Sequence, residues 1–311
     1  MIIKPSRIRL DASTVCQLKC PSCKTAKGIT AKILGAQTLK FENFKNLVDN
    51  NVWIREIELS SQGEMFLNPD LLRIMEYAYK KNIFLSASTG VNLNTVCEEV
   101  LEGLVKYRFG LLTCAIDGAS QETYKIYRRG GDFKKVLYYI KTINQIKKRY
   151  RSVLPKLRWQ FILFGHTEHE ILKARKMALQ LGMEFYTKIA SDDFSPIKNK
   201  NKVRRQLDED VPLTTNEYRK RYKKVYLSKR VCAQLWLHPQ INSDGRVLGC
   251  SINFHGDYGN AFKEDLLEIL NGEKMNYARL MLLGKQKEQS DIPCVKCPLY
   301  QEMKATDCWF Y

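Results

Sequence analysis

Cys16, Cys20 and Cys23 form a C-x-x-x-C-x-x-C cluster directly after the strand-like run Arg7-Ile8-Arg9-Leu10-Asp11. Three thiolates that close can hold three irons of a cubane cluster and leave the fourth iron open, so a small molecule can bind metal there. The same spacing suits zinc with a fourth ligand from elsewhere. It also suits three unrelated thiols that pack as small hydrophobes.

A second set lies in the last third of the chain. Asn242 to Cys250 reads as a β-hairpin turning at Asp244-Gly245, with Cys232 leading into its first strand and Cys250 ending its second. Cys294-Val295-Lys296-Cys297 is a C-x-x-C knuckle. Together these four thiols make a complete Cys₄ site, for which, taken in isolation, zinc is the favoured occupant and a [4Fe–4S] cluster the alternative. The segment shows little apolar mass of its own, so bound metal is expected to supply part of its folding free energy. Cys308 is left over.

The elements that must carry these groups alternate. Strands are predicted near 7–11, 54–60, 83–88, 110–116, 158–164 and 184–189, with helix-length segments between them. One helix spans 133–149, with Val136, Ile140, Ile143 and Ile146 on one stripe. Another spans 168–181, entered through Thr167 and closed by Gly182. Such alternation means a parallel sheet, and six βα units fit an α/β, six-stranded (β/α)6 partial barrel rather than a closed eight-fold one. Ligands of such folds sit at the C-terminal strand ends, where the first cysteine cluster falls. The expected organisation is a partial barrel over 1–190, a basic connecting segment over 191–230 with one helix at 215–226, and a small cluster-binding domain over 231–311.

The chain has 311 residues, 44% of them hydrophobic, and a formal charge of +18. Residues 141–158 carry a net +7 and residues 198–230 a net +8. A basic surface attracts phosphates or acidic partners. No RNA-recognition or helix-turn-helix signature accompanies it, so nucleic acid is not expected. No apolar run approaches the ~18 residues of a membrane span, and the N-terminus lacks the pattern of a signal peptide. With ten cysteines and no export signal, a reducing cytosol is expected.

The triplet resembles the signature of radical S-adenosylmethionine (SAM) enzymes. That resemblance implies a [4Fe–4S] cluster whose open iron binds SAM, and hydrogen-atom abstraction by the adenosyl radical. Cys232, then Gly245-x-x-x-x-Cys250, then C-x-x-C resembles the auxiliary-cluster region of the SPASM/twitch subgroup. The spacing is similar to that of butirosin-type dehydrogenases, which implies one auxiliary [4Fe–4S] cluster on Cys232, Cys250, Cys294 and Cys297. Carried onto this sequence, Gly63 and Glu64 match the family's motif for the SAM amino group, although its first glycine is Gln62 here. Ser88 ends the third strand near the ribose position, and the family's asparagine at 89 is a threonine. Asp117 ends the fourth strand, Arg128 matches an arginine near the SAM carboxylate, Gln160 is a polar candidate on the fifth strand, and Ile189 is placed near adenine. The aromatic residue often found before the third cysteine is Ser22.

The implied reaction is oxidation or epimerisation of a small polar metabolite of sugar or aminocyclitol type. In the second reading the enzyme matures a peptide or protein, against which residues 1–6 leave no room for a peptide-recognition domain. A third is a non-catalytic zinc-binding interaction protein. Ser251 stands where related dehydrogenases carry an acid. Cys308 is then a spare thiol, an alternative ligand, or the hydrogen donor of an epimerase. Expected partners are a small-molecule or peptide substrate, an anionic one suiting the charge, and an electron donor such as flavodoxin or ferredoxin.

Overall fold

The structure is a computed structural model that describes residues 2–208 and 210–310. Six strands, β1 (Arg7–Leu10), β2 (Glu56–Glu58), β3 (Phe84–Val91), β4 (Leu111–Ala115), β5 (Lys156–Leu163) and β6 (Glu184–Ile189), pair in parallel in that order. They alternate with helices, as the sequence pattern requires. Ile8, Leu10, Ile57, Leu85, Leu112, Trp159 and Phe161 are buried against those helices. A fully buried aromatic or aliphatic side chain of this kind contributes about 1.5–3 kcal/mol. The helix Phe133–Arg149 buries the expected stripe, and Asp132 caps it by accepting from the Lys134 and Lys135 amides at 2.9 and 3.1 Å.

The opposite face of the same strands turns into the barrel and is polar. Arg9, Glu58, Ser86, Thr113 and Gln160 are all buried there. At the β1–β3 side the groups satisfy one another. Glu58 accepts from the Ser60 hydroxyl at 2.7 Å and the Ser88 amide at 2.7 Å, while Arg9 donates to Thr89 Oγ1 at 2.6 Å and Gln240 Oε1 at 3.0 Å.

Four local expectations need correction. The seventh helix-length segment begins at Ile171, because the Thr167 hydroxyl donates to the Phe164 carbonyl instead of capping the helix. The connecting segment holds three helices, Lys200–Leu207, Thr215–Tyr222 and Ser228–Cys232, and buries Val203, Leu207, Leu213 and Val225 against the main core. Cys232 therefore ends a helix and does not lead into a strand. The C-terminal third is also rich in apolar packing: Leu266, Ile269, Leu270, Met275, Met281, Leu282, Tyr300 and Met303 join the same core.

The hairpin is present as β7 (Gln240–Ile241) and β8 (Val247–Gly249), turning through Gly245 at φ +91°. It extends the barrel sheet: β7 pairs in parallel with β1, Arg9 opposite Gln240 and Leu10 opposite Ile241. Among the described residues no helix is long and apolar enough to cross a membrane.

Candidate metal and cofactor site

The first cysteine loop leaves the C-terminal end of β1. Leu18 and Cys20 are buried with Tyr127 and Phe164, and Cys16, Cys23, Ile162, Ala190 and Phe194 pack around them. The three thiols thus share one apolar patch at the barrel mouth. Burial pushes the Cys16 thiol up to about 11 and raises that of Cys20, where Arg128 opposes the rise. Metal binding is what would draw the protons from such thiols. Arg128 Nη1 donates towards Cys20 Sγ at 3.7 Å, and Asn92 Nδ2 towards Cys16 Sγ at 3.6 Å.

Gly63 and Glu64 lie beside this loop. The Glu64 amide donates to the Val15 carbonyl at 2.8 Å. A Cβ on Gly63 would stand 2.5 Å from the Ser13 carbonyl oxygen and 2.6 Å from that of Val15, so only glycine fits. The Glu64 carboxyl is buried and accepts from the Asn92 amide at 2.6 Å and the Phe66 amide at 3.2 Å. Burial raises it to about 7 despite those bonds. Gln62, in place of a glycine, ties two regions together: its carbonyl accepts from Thr25 in the cysteine loop, and its Nε2 donates to the Ser251 carbonyl, next to Cys250, at 2.5 Å.

Across the mouth, Asp117 is fully buried and holds Arg128. Arg128 Nε and Nη2 lie 2.7 and 2.6 Å from Asp117 Oδ2, and Asp117 Oδ1 accepts from the Ile162 amide at 2.7 Å. Burial works against the guanidinium, but Asp117 together with Cys20, Tyr127 and Tyr124 outweighs it, and the group's pKa stays well above its ordinary value. The pair aims a fixed positive charge at the cysteine loop. We expect Arg128→Met to destabilise the fold by about 3–5 kcal/mol, since it strands a buried carboxylate. Urea unfolding of that variant and of Arg128→Met/Asp117→Asn checks this, and the double variant should recover part of the loss.

Ser88 and Gln160 also lie on the inner wall. The Ser88 amide donates to Glu58 while its hydroxyl has no partner. Gln160 approaches Gly90, where a Cβ would meet Gln160 Nε2 at 3.5 Å. Ile189 ends β6 opposite Leu163, on the strand face that alternates with Gln160 and its neighbour Tyr186.

Two groups escaped the sequence reading. Asn92, two residues after Gly90, turns its side-chain amide onto the cysteine loop, donating to Gln17 Oε1 at 3.3 Å and towards Cys16 Sγ at 3.6 Å. Tyr127 packs on Phe164 beside the cysteine loop, with ring centroids 4.6 Å apart, and Ser22 hydrogen-bonds its hydroxyl. Both signals lay outside the motif positions.

The second set converges elsewhere. Cys232, Cys250, Cys294 and Cys297 line one pocket with Leu235, Leu248, Tyr258 and Tyr300. Burial raises Cys232 and Cys250 and takes Cys294 up to about 11, where the Tyr258 hydroxyl, 3.6 Å from its sulfur, opposes it. Lys24, next to Cys23, reaches towards this pocket and stands 4.0 Å over the Phe254 ring. Among the described residues, no three His, Cys, Asp or Glu groups are set to hold a single metal ion. Cys308 packs against the C-terminal core, outside the four-thiol pocket, and donates to the Thr306 carbonyl at 3.3 Å. The tail is held by Phe310 against Trp236 and Trp309 against Tyr300.

The radical SAM superfamily model matches residues 11–178, more than half of the chain. The chain belongs to the radical SAM superfamily. The SPASM iron–sulfur cluster-binding domain matches residues 232–298. A radical SAM chain with this second domain binds a [4Fe–4S] cluster, SAM and auxiliary iron–sulfur. The donor chemistry fits: each thiol set is gathered against an apolar wall, and the first lies beside a buried carboxyl and a fixed arginine.

Solved structures agree on the fold. SuiB of Streptococcus suis superposes with a TM-score of 0.66 at 14% identity over 95% of this chain and 71% of its own. The anSMEcpe structure with bound AdoMet gives 0.60 at 16%, over 95% and 87%. BtrN in complex with AdoMet and 2-DOIA gives 0.52 at 12%, over 97% and 93%. No curated protein sequence matches the chain.

Proposed function

We propose that this radical SAM enzyme oxidises or epimerises a small polar metabolite of sugar or aminocyclitol type. The observation that carries the reading is the inner barrel wall. Thr113 Oγ1 is buried without a hydrogen-bond partner, and beside it on the inner wall stand the half-buried Ser88 and the buried Gln160. Buried polar groups left open in this way suit a hydroxylated ligand that completes their bonding. The BtrN structure named with 2-DOIA also shares this fold over nearly the full length of both chains.

When bound, the cluster and SAM supply a hydrogen-abstracting radical. The protein groups bind and orient. In this reading Cys16, Cys20 and Cys23 hold the SAM cluster, the Gly63 carbonyl and Glu64 receive the SAM ammonium, and Arg128 faces its carboxylate. Ser88 and Asp117 border the ribose, and Ile189, whose side chain shares the outer strand face with Leu163, meets the adenine through its backbone. Cys232, Cys250, Cys294 and Cys297 hold one auxiliary cluster. Cys308, half-buried, is the candidate hydrogen donor for an epimerase. An acidic electron donor such as flavodoxin or ferredoxin suits the basic helices 133–149 and 200–222, and reduced ligand thiols suit a cytosolic enzyme.

Glu64 gives this reading a pH signature. Below about 7 its carboxyl is protonated in the SAM-free protein. An ammonium ligand favours the carboxylate, so binding must expel that proton. SAM affinity is expected to fall about tenfold for each pH unit below that value and to level off above it. Calorimetry in buffers of different ionisation enthalpy checks both the trend and the released proton.

The second reading, peptide maturation, draws on SuiB, solved with its precursor peptide SuiA, and on anSMEcpe, solved with the Cp18Cys peptide. Reconstituted enzyme, SAM and dithionite, offered sugars, aminocyclitols and peptides in deuterated water, separate the two. Loss of two hydrogens or uptake of one deuterium by a sugar-type substrate is expected. Turnover confined to peptides would sink the metabolite reading.

A further inference from the structure

Lys141, Lys147, Lys148 and Arg151 line one open cleft of about 690 Å³, and Val153 and Leu181 form its apolar part. No acidic residue lines it. Nearby cations do find acids: Arg149 lies 2.9 Å from Glu102 and Arg158 3.0 Å from Glu184. The four cations of the cleft make no ion pair with a described residue.

Local structure fixes this arrangement. Helix Phe133–Arg149 buries Ile140, Ile143 and Ile146, so Lys141, Gln145 and Lys148, at helical spacing, fall on its exposed side. The Arg151 amide on the Lys148 carbonyl at 3.1 Å and the Ser152 amide on the Lys147 carbonyl at 2.9 Å fold the next turn back onto the helix end. Asn144 Nδ2 donates to the Leu181 carbonyl at 2.7 Å and fastens the end of helix Ile171–Gln180 as the opposite wall. Two helix C-termini therefore meet at the cleft. Each brings about half a negative charge, which offsets about one of the four cations and leaves a surplus.

The cleft is not part of the cysteine sites. It lies where β5 and β6 begin, whereas the first cysteine loop leaves the other end of the sheet. Helix Phe133–Arg149 has 17 residues and is about 25 Å long. Lys134 and Lys135 stand at its end near the barrel mouth and the cleft at its far end, so an occupant of the cleft is distinct from an electron donor at the mouth.

Three features select the occupant. The surplus positive charge asks for anionic groups. The last carbonyls of two helices lack partners within their helices and accept hydrogen bonds. Val153 is 79% exposed and offers an aliphatic contact. A peptide rich in Asp and Glu brings carboxylates, backbone N–H donors and aliphatic side chains together. A nucleic acid brings charge, but no aromatic side chain lines the cleft for its bases to stack on. A second copy of this chain, at +18, is repelled. We propose that this cleft docks an acidic segment of a partner protein, at the end of the barrel away from the cysteine sites.

The test measures fluorescence anisotropy of a labelled oligoglutamate peptide on the anaerobically reconstituted full chain, with labelled oligouridylate of equal charge beside it. Saturable one-site peptide binding that weakens with salt is expected. Lys141→Glu/Lys148→Glu and Lys148→Glu/Arg151→Glu should each weaken it about tenfold or more. Lys285→Glu/Lys287→Glu removes the same charge from exposed lysines outside the cleft and should leave it within about twofold. Lys148→Arg/Arg151→Lys keeps the charge and should keep the binding. Melting temperatures verify that each variant is folded; were a Glu variant unfolded, Lys148→Gln/Arg151→Gln would take its place with a smaller loss. Equal weakening in the cleft and control variants would assign binding to net charge alone and overturn the proposal. Tighter binding of oligouridylate, which gives the cleft to nucleic acid, or heats and anisotropy that never saturate, would overturn it too. Reductive SAM cleavage at saturating peptide is expected to be unchanged, because the cleft lies away from the mouth. Inhibition by the peptide would place it at the mouth and refute the assignment.

Discussion

The Cys16→Ala/Cys20→Ala/Cys23→Ala protein is expected to make no 5′-deoxyadenosine from SAM under dithionite while keeping about half of the wild-type iron, since one of two thiol sets remains. The physical ground is the separation of the sets. The first lies in the loop after β1 with Leu18, Tyr127 and Phe164, and the second lines a pocket formed by helices and the β7–β8 hairpin. No cysteine is shared. Alanine should be tolerated at Cys16 and Cys23, which are only half-buried, and Cys20 is small enough that its truncation leaves a minor void. Iron and sulfide analysis, the electronic spectrum and product chromatography together read the result. A triple variant that still cleaves SAM would contradict the assignment of the open-iron site to these residues.

Cys250→Ala is expected to remove the other half of the iron and to lower soluble yield and thermal stability sharply. Cys250 follows β8 and is walled by Cys232, Cys294, Leu248 and Tyr258. Metal-free, these thiols stay protonated because burial raises them, so the pocket is an apolar hole lined by weak donors. Filling it links the end of one helix, the hairpin and the C-x-x-C turn, and binding free energy becomes folding free energy. The surrounding core of Leu266, Met275, Met281 and Met303 means that the segment has apolar support besides the metal. The variant should therefore be a destabilised folded protein rather than an unfolded tail. Scanning calorimetry beside iron analysis distinguishes these: an unchanged melting temperature with half the iron would make the metal structurally idle.

The barrel was legible because its strands carry a two-fold pattern with β-branched and aromatic residues on the helix side, as in Trp159-Gln160-Phe161. The thiol sets were legible because ligand spacing is local. Long-range contacts were not. Cys232 sits in a helix because Val231 and Ser228 bury on one face there, a choice made by tertiary packing of a short, charged segment. The joining of β7 to β1 spans more than two hundred residues, and no sequence period records it. Gln62 looked like a lost glycine. In the structure it gains a contact with Ser251, which only the folded arrangement of the two cysteine regions reveals.

The pairing of β1 with β7 has a consequence for how this protein would fail. Only two residues of β7 cover the flank of β1, through the Arg9 amide on the Pro239 carbonyl at 2.9 Å and the Asp11 amide on the Ile241 carbonyl at 3.0 Å. If oxygen strips the auxiliary site and the hairpin loosens, those two amides lose their partners, at about 1–3 kcal/mol each while buried. The first strand of the sheet becomes an open edge, flanked by Ile8 and Leu10, that can pair with the same edge of another molecule. Air-damaged protein should then be lost first as aggregate, so the hairpin that leads into Cys250 also acts as the molecule's guard against self-association.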